Sequence, residues 1–149
     1  MGEQQPLVSI CMITYNHEAY IAEAIEGVLM QKADFGYRLV IGEDCSTDNT
    51  RKICEDYAKQ YPDKIELLKS VKNLGMQPNF IRTCEACTGK YVALCEGDDY
   101  WTDPLKLQKQ IDFLEANDDC VLCYTDASIY FQEEDRMQRN YVKDEIPTK

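Results

Sequence analysis

Short apolar runs alternate with segments of helical periodicity, and this alternation most constrains what the chain can fold into. The segments between the runs carry apolar residues at helical spacing, as Ile21, Ile25 and Val28 do after the first run. Regular alternation of this kind is typical of a mainly parallel sheet with helices on both faces, so we expect an α/β fold. The predicted strands span residues 7–14, 37–41, 65–68, 91–95 and 120–124.

Capping residues and prolines predict where the helices begin and end. Residues 46–49 are rich in N-cap side chains, and Pro62 lies past the end of the helix that follows. Pro78 suits the first turn of a helix that ends before Gly89, and Asp103-Pro104 predicts the start of another.

The C-terminal part of the chain is less regular. The fifth strand can continue after Asp126 through residues 129–131, and the polar chain from Gln132 predicts a loop or a frayed segment. We therefore expect one domain over residues 1–131, followed by a polar tail over 132–149.

Composition excludes some classes of function. The 149 residues suit a single domain, and 27 acidic against 16 basic side chains give a net charge of −11. Such a chain does not attract nucleic acid by bulk charge, so no nucleic-acid partner is expected. No apolar run is long enough to span a membrane and no signal peptide is recognisable, so we expect a cytoplasmic protein, peripheral to a membrane only through parts outside this segment. If the ligand is phosphorylated, a divalent cation is the obvious local positive charge.

Eight cysteines raise the question of disulfides or zinc. Several lie inside apolar runs, as Cys11 and Cys95 do, so reduced and mostly buried thiols are expected. The pairs Cys84-x-x-Cys87 and Cys120-x-x-Cys123 have zinc-ligand spacing. Their predicted positions, on a helix and in a strand, disfavour that interpretation.

Polar segments follow four of the predicted strands. Because open α/β sheets bind ligands at the carboxyl ends of their strands, these segments predict a composite binding site. They are Thr14-Tyr15-Asn16, Glu43-Asp44-Cys45-Ser46, Asn73-Leu74-Gly75 and Glu96-Gly97-Asp98-Asp99.

The acidic segment Glu96-Gly97-Asp98-Asp99 carries the clearest chemistry. Mg²⁺ and Mn²⁺ prefer oxygen ligands and commonly use one or two carboxylates together with substrate phosphates. Three carboxylates within four residues repel one another unless a cation or hydrogen bonds offset the charge. Taken alone, the segment is equally compatible with a solvated turn that leads to a helix cap at Asp103.

The other polar segments are individually weaker. Asp44 can accept a hydrogen bond from a base or ribose, whereas helix capping accounts for residues 46–50. Thr14-Tyr15-Asn16 can hold a nucleobase or simply form a turn. His17 is interpreted as a loop residue and not as a catalytic base. Trp101 can stack on a sugar or pack, and packing or loop ordering is the preferred interpretation.

In this order the four segments resemble the inverting glycosyltransferases of family 2, which have the A-type, Rossmann-like nucleotide-sugar-binding fold. The opening Val8 to Asn16, the Ser-x-Asp-x-Thr run after Asp44, the Asn73-Leu74-Gly75 turn and Glu96-Gly97-Asp98-Asp99 at the place of the Asp-x-Asp metal motif carry the resemblance. It covers residues 8–124.

The resemblance implies a function and a role for each matching residue. The chain would bind a nucleotide-diphosphate sugar, a UDP-sugar by preference, and transfer the sugar with inversion to a saccharide or lipid-linked acceptor. Mn²⁺ or Mg²⁺ would assist. Donor-binding residues would be Thr14, Tyr15, Asn16, Asp44, Asn73, Gly75, Glu96 and Asp98, and metal ligands would be Asp98 and Asp99.

The sequence also departs from the family pattern. Glu96 replaces the first aspartate, and Cys45 stands where glycine is common. The family's catalytic base lies further along the chain, so it is expected beyond Lys149, and the chain is expected to be the N-terminal part of a longer enzyme.

Two other functions stay open at this point. One is a donor-binding module without turnover. The other is a sugar-nucleotide nucleotidyltransferase, which is disfavoured because the loop after the first strand has neither glycine nor arginine.

Overall fold

The computed structural model of the protein describes residues 5–139. The chain divides into two compact units, the first reaching Lys109 and the second beginning at Gln110. The domain boundary at residue 131 stays a prediction from the sequence.

The first unit contains a sheet of four parallel strands, and the predicted α/β fold is confirmed. The sheet order is β3-β2-β1-β4. The elements are β1 (Val8–Thr14), α1 (Ile21–Leu29), β2 (Tyr37–Glu43), α2 (Thr50–Gln60), β3 (Ile65–Leu67), α3 (Met76–Ala86) and β4 (Tyr91–Leu94). A further helix, α4 (Lys106–Ala116), passes from the first unit into the second.

Helices cover both faces of this sheet because of the strand order. The connections β1-α1-β2 and β2-α2-β3 move in one direction, while β3-α3-β4 returns past β1. Right-handed crossovers then place α1 and α2 on one face and α3 on the other. Between the layers, the side chains of Ile10, Met12, Leu39 and Ile41 are completely buried.

Helix α3 lies directly on β2 at Gly42. The Asn79 Nδ2 donates a hydrogen bond of 2.7 Å to the Gly42 carbonyl oxygen. A side chain at Gly42 would collide with the Thr83 hydroxyl, so only glycine allows this approach. The contact fixes where the turn before α3 lies relative to the end of β2.

The sheet order reverses between β1 and β4. From β1 the chain moves towards β3, whereas β4 pairs on the opposite side of β1. The carboxyl ends of two strands at such a switch point border the crevice in which open α/β sheets bind ligands. The fold therefore predicts a site between the loops that follow Thr14 and Leu94.

The second unit corrects the prediction for the end of the chain. The strand predicted at 120–124 is wrong, because no strand in the described residues pairs with it and Val121 is 97% exposed. Residues 129–131 are extended, but they do not continue that strand: they form a separate strand, β5 (Ile129–Phe131), which pairs antiparallel with β6 (Arg136–Gln138). The loop predicted from Gln132 is thus a hairpin as far as Gln138, and residues 140–149 lie outside the described part.

One helix start is also shifted. Helix α4 begins at Lys106 instead of at Pro104, whereas α3 begins at Met76 and has Pro78 in its first turn, as predicted. The Asp103 carboxylate still accepts a hydrogen bond from the Leu105 backbone N–H, at 2.9 Å.

All eight cysteines are free thiols, but only three of them are buried. The expectation of mostly buried thiols is therefore wrong for the other five. Burial raises the pKa of Cys54 and of Cys95 to about 12. Within residues 5–139, no helix is sufficiently long and apolar to cross a membrane.

Candidate functional site

The loops that follow β1 and β2 are joined by hydrogen bonds in both directions. Backbone N–H groups of the first loop donate to side chains of the second, and this holds residues 16–18 against residues 46–50. These bonds run from Asn16 N to Ser46 Oγ (3.0 Å), from His17 N to Thr50 Oγ1 (2.8 Å) and from Glu18 N to Asp48 Oδ2 (3.1 Å).

The reverse bonds use two side chains of the first loop. The Asn16 Oδ1 accepts from the Thr47 backbone N–H at 2.8 Å, and the Glu18 Oε2 accepts from the Asn49 backbone N–H at 2.9 Å. Asn16 adopts a left-handed conformation with φ of 55°. Its amide oxygen therefore builds the loop, which is a structural task that the sequence did not indicate. Tyr15, its predicted neighbour in the site, is 43% exposed.

Asp44 joins two of the predicted segments. Its side chain is buried, and its two carboxylate oxygens accept hydrogen bonds of 2.8 Å from the backbone N–H groups of Leu74 and Gly75. The Asn73 Nδ2 donates to the Asp44 carbonyl oxygen at 3.0 Å. Asp44, Asn73 and Gly75 thus lie together, as the site prediction requires, and Asp44 holds the turn before α3 in place.

Glu43 is a structural residue that the sequence interpretation missed. It is completely buried, its Oε1 accepts a 2.6 Å hydrogen bond from the Ser46 backbone N–H, and its Oε2 lies 3.3 Å from Arg51 Nη1. A glutamate ending a buried strand is a sign of such a partner, because an unpaired carboxylate is costly to bury. This ion pair shapes the turn that carries Cys45.

Cys45 occupies a strained position in that turn. Its φ is 57°, in the left-handed region that costs a non-glycine residue roughly 1–2 kcal/mol. Its Sγ lies 3.4 Å from Ser70 Oγ.

We expect Cys45→Gly to be more stable than Cys45→Ala by about 1 kcal/mol, since alanine keeps the strain and loses the thiol contact, whereas glycine relieves the strain. The greater freedom of glycine in the unfolded chain reduces the gain by about 0.4–1 kcal/mol. Urea unfolding of both variants measures the difference. An alanine variant that equals or exceeds the glycine variant in stability would contradict the assignment of strain.

The ends of β1 and β4 meet where Gly97 lies against Thr14. The Gly97 backbone N–H donates to the Ile13 carbonyl oxygen at 3.0 Å, and a Cβ at position 97 would lie only 2.5 Å from Thr14 Oγ1. Thr14 is 3% exposed, and its hydroxyl has no hydrogen-bond partner among residues 5–139. Thr14 therefore lies beneath the acidic segment instead of projecting freely into a pocket.

The three carboxylates of the acidic segment lie at the surface around this junction. Glu96, Asp98 and Asp99 are all exposed, and the Asp98 Oδ2 lies 3.8 Å from the His17 Nε2. Partial burial, and then the charge of Asp98, raise the pKa of Asp99, while His17 opposes the shift. A positive charge bound here would relieve the repulsion between the two aspartates.

The carboxylates suit a cation whose remaining coordination positions are filled by a bound ligand. No three His, Cys, Asp or Glu side chains within the described part of the chain are grouped to hold a metal ion by themselves. Two adjacent aspartates can still supply the one or two carboxylates that Mg²⁺ or Mn²⁺ uses when phosphate oxygens fill the other positions. Asp98 and Asp99 have this donor chemistry.

An apolar pocket of about 290 Å³ opens beside Glu96. Ile13 at the end of β1 forms one wall, and the first turns of α3 form the other through Met76, Gln77, Phe80 and Ile81. The pocket extends the crevice along the α3 face of the sheet. Trp101 is buried, and its backbone packs against Gly27 of α1, so it orders the chain beyond the acidic segment.

Comparison with known proteins places the chain among glycosyltransferases. The family model described as glycosyl transferase family 2 matches residues 9–149. An uncharacterised protein of Mycobacterium tuberculosis is 40% identical over 126 residues, which are 85% of this chain and 36% of that protein.

Two solved structures share the fold. A mannosyltransferase from Pyrobaculum calidifontis in complex with GDP-Man and Mn²⁺ superposes with a TM-score of 0.65 at 23% identity, over 74% of this chain and 33% of that one. TarS residues 1–349 of S. aureus, in complex with UDP-GlcNAc, gives a TM-score of 0.62 at 26% identity, over 74% and 32%. The chain thus spans about a third of the length of the relatives it matches.

Proposed function

The chain belongs to glycosyl transferase family 2, and we propose that it binds a nucleotide-diphosphate sugar, by preference a UDP-sugar, for metal-assisted transfer of the sugar to an acceptor hydroxyl with inversion. The observation that carries the proposal is that the predicted polar segments contact one another at the neighbouring ends of β2, β1 and β4. The Asp44 backbone N–H donates to the Thr14 carbonyl oxygen, Asp44 holds the turn at 73–75, and Gly97 lies against Thr14. Proteins of similar fold in complex with GDP-Man or UDP-GlcNAc support a nucleotide-sugar as the ligand.

Each predicted segment has a place in this proposal. The turn that Asp44 holds, with Asn73 and Gly75, forms the wall on the β2 side, where the base and ribose would lie. The exposed residues Tyr15 and Asn16 would form the floor next to it, with Thr14 buried beneath. The contact of Asp44 with the base itself stays a prediction from the sequence. In the structure, both carboxylate oxygens of Asp44 accept hydrogen bonds from the backbone.

The acidic segment would hold the diphosphate end of the donor. Glu96, Asp98 and Asp99 alone would repel a diphosphate, so the proposal requires a cation between them, held by Asp98 and Asp99. When bound, Mn²⁺ or Mg²⁺ would neutralise the negative charge that develops on the leaving diphosphate. The neighbour that contains Mn²⁺ supports a metal of this kind.

In this proposal the residues of this chain position the nucleotide-sugar and hold the cation. The base that deprotonates the acceptor is not assigned to any of them. A saccharide or lipid-linked acceptor, and a cytoplasmic location, stay predictions from the sequence. A nucleotidyltransferase is disfavoured for two reasons. The chain matches the glycosyl transferase family model, and the loop after β1 has neither glycine nor arginine.

A thermal-shift panel tests donor binding. UDP-, GDP- and dTDP-sugars are each added with and without Mn²⁺, and at least one donor should raise the melting temperature only when Mn²⁺ is present. A ligand at 100 times its Kd stabilises by about 2.7 kcal/mol, which is readily measured. If no nucleotide with Mn²⁺ changes the melting temperature, the proposal fails.

Donor hydrolysis, measured on the same samples, separates binding from turnover. Release of UDP or GDP from a bound donor would show that the chain carries catalytic groups of its own. Binding without release would favour a donor-binding module.

A further inference from the structure

His17 lies beside the acidic segment, although its place in the sequence indicates only a loop. Its Nε2 is 3.8 Å from the Asp98 Oδ2, with 25% of the His17 side chain and 47% of the Asp98 side chain exposed. Three strands of the sheet, β2 to β4, lie between His17 and Asp98 along the chain. The two residues meet in space because β1 and β4 are neighbours in the sheet.

The backbone of His17 is held on both sides. Its N–H donates to Thr50 Oγ1 at 2.8 Å, and its carbonyl oxygen accepts from the backbone N–H groups of Tyr20 and Ile21 at 3.0 and 2.9 Å. These bonds tie the residue to the start of α2 and to the start of α1. The imidazole is therefore presented to Asp98 by a rigid junction.

The surroundings of the ring determine which nitrogen carries the proton. The Nδ1 is buried and has no hydrogen-bond partner among residues 5–139. A proton on Nδ1 would bury an unsatisfied donor and turn the Nε2 lone pair towards the Asp98 carboxylate. A proton on Nε2 faces an acceptor instead, so the neutral ring is an Nε2–H donor directed at Asp98.

This tautomer excludes one role and favours another. A metal ligand needs a free lone pair, which Nε2 lacks in this state. The 3.8 Å separation of His17 Nε2 and Asp98 Oδ2 exceeds a direct hydrogen bond, and a rotation of the exposed Asp98 side chain or a bridging water would close it. Carboxylates that bind metal ions are commonly oriented by a hydrogen bond of this type, and its loss typically lowers metal affinity 10- to 100-fold.

We propose that His17 is a positioning residue which, as an Nε2–H donor, holds one oxygen of Asp98 so that the other is directed at the cation. This inference rests on the proposed function, because it assumes that Asp98 contacts a cation shared with a nucleoside diphosphate. It assigns to His17 a role that neither the sequence interpretation nor the family match contains.

Two substitutions test whether the hydrogen-bond donor must lie at the position of the imidazole Nε2 or only be present somewhere in the side chain. In His17→Gln the amide Nε2 takes the place of the imidazole Nε2, whereas in His17→Asn the amide nitrogen reaches only the place of Nδ1. Mn²⁺ affinity is measured by titration calorimetry, in the presence of the nucleoside diphosphate of the donor that gives the largest thermal shift. We expect His17→Asn to weaken Mn²⁺ binding about tenfold and His17→Gln to stay within about threefold of the unsubstituted protein.

The melting temperatures of both variants without ligand provide the control for folding, and we expect them to be equal. Equal Mn²⁺ affinity in His17→Asn and the unsubstituted protein would overturn the proposal. So would an equal loss in both variants, because a donor at the Nε2 position would then not matter. If the unsubstituted protein itself binds no Mn²⁺ with any nucleoside diphosphate, the proposed function fails as well, and the two failures are thereby distinguished.

Discussion

Replacing Asp98 by asparagine is expected to abolish the Mn²⁺-dependent stabilisation by a nucleotide-sugar. The substitution removes one carboxylate from the pair Asp98 and Asp99 and substitutes an amide, which is a poorer ligand for a hard cation. At a donor concentration 100 times its Kd, about 2.7 kcal/mol of stabilisation would disappear. For a domain of this size that corresponds to a loss of about 5–10 °C in the ligand-induced shift of the melting temperature.

The same variant should be at least as stable as the original protein when no metal is present. Asp98 is 47% exposed, and its charge helps to raise the pKa of Asp99, so removing that charge relieves a repulsion. Loss of the ligand response without loss of stability is the pattern expected of a binding residue. A structural residue would show both losses.

Asp63→Asn is the matched control for Asp98→Asn. Asp63 is exposed in the turn after α2, and the substitution makes the same change in net charge. We expect it to keep the full Mn²⁺-dependent shift. An Asp98→Asn protein that responds to donor and Mn²⁺ as strongly as Asp63→Asn would remove Asp98 from the metal site.

Replacing Gly97 by alanine is expected to destabilise the protein. The new Cβ would lie 2.5 Å from Thr14 Oγ1, 2.6 Å from Thr14 Cβ and 3.1 Å from Ile21 Cδ1. Thr14 is short, branched at Cβ and buried, so the clash can be relieved only by moving the backbone at the end of β4. Overpacking of this kind costs about 1–3 kcal/mol, and urea unfolding measures it.

The movement should also disrupt the site, because Gly97 lies between Glu96 and Asp98. We expect the Gly97→Ala protein to bind Mn²⁺ and a nucleoside diphosphate more weakly even at temperatures where it is fully folded. Circular dichroism establishes the folded fraction, and titration calorimetry below the melting temperature of the variant measures the binding.

Gly36→Ala is the control for a glycine with room for a side chain. There a Cβ would meet only Pro6 Cα, at the ordinary contact distance of 3.8 Å. We expect a change within about 0.5 kcal/mol, as for most surface substitutions. Equal stability of the Gly97→Ala and Gly36→Ala proteins would show that the ends of β1 and β4 are less closely packed than the structure indicates.

The elements of the first unit were predictable from local sequence. The apolar runs that became β1 to β4, and the helical spacing of Ile21, Ile25 and Val28 in α1, reflect burial patterns that each segment carries within itself. The apolar run at 120–124 shows the limit of such patterns. A strand exists only where a partner strand supplies its hydrogen bonds, and residue-by-residue apolarity contains no information on the partner.

The sequence predicted which polar strand ends belong to the candidate site, but it did not predict the contacts between them. The alternation of strands and helices implied that these ends share one edge of a sheet, which brought Asp44, Asn73, Gly75 and Asp98 into the prediction. The junction of Glu18 with Asp48 and Asn49 was absent from it, because the partners of Glu18 lie in another loop. The structural role of Glu43 was absent as well, although its partners Ser46 and Arg51 are close to it in sequence.

By itself, therefore, the sequence determined an α/β chain with acidic strand ends, since periodicity, capping and the order of polar segments are local properties. Only the tertiary structure decided that Gly97 lies against Thr14 and that His17 faces Asp98. The physical reason is that these contacts depend on β4 pairing with β1 in parallel register, Cys11 opposite Leu94. That pairing depends on the free energy of the whole packed sheet, to which residues far apart in the chain contribute together.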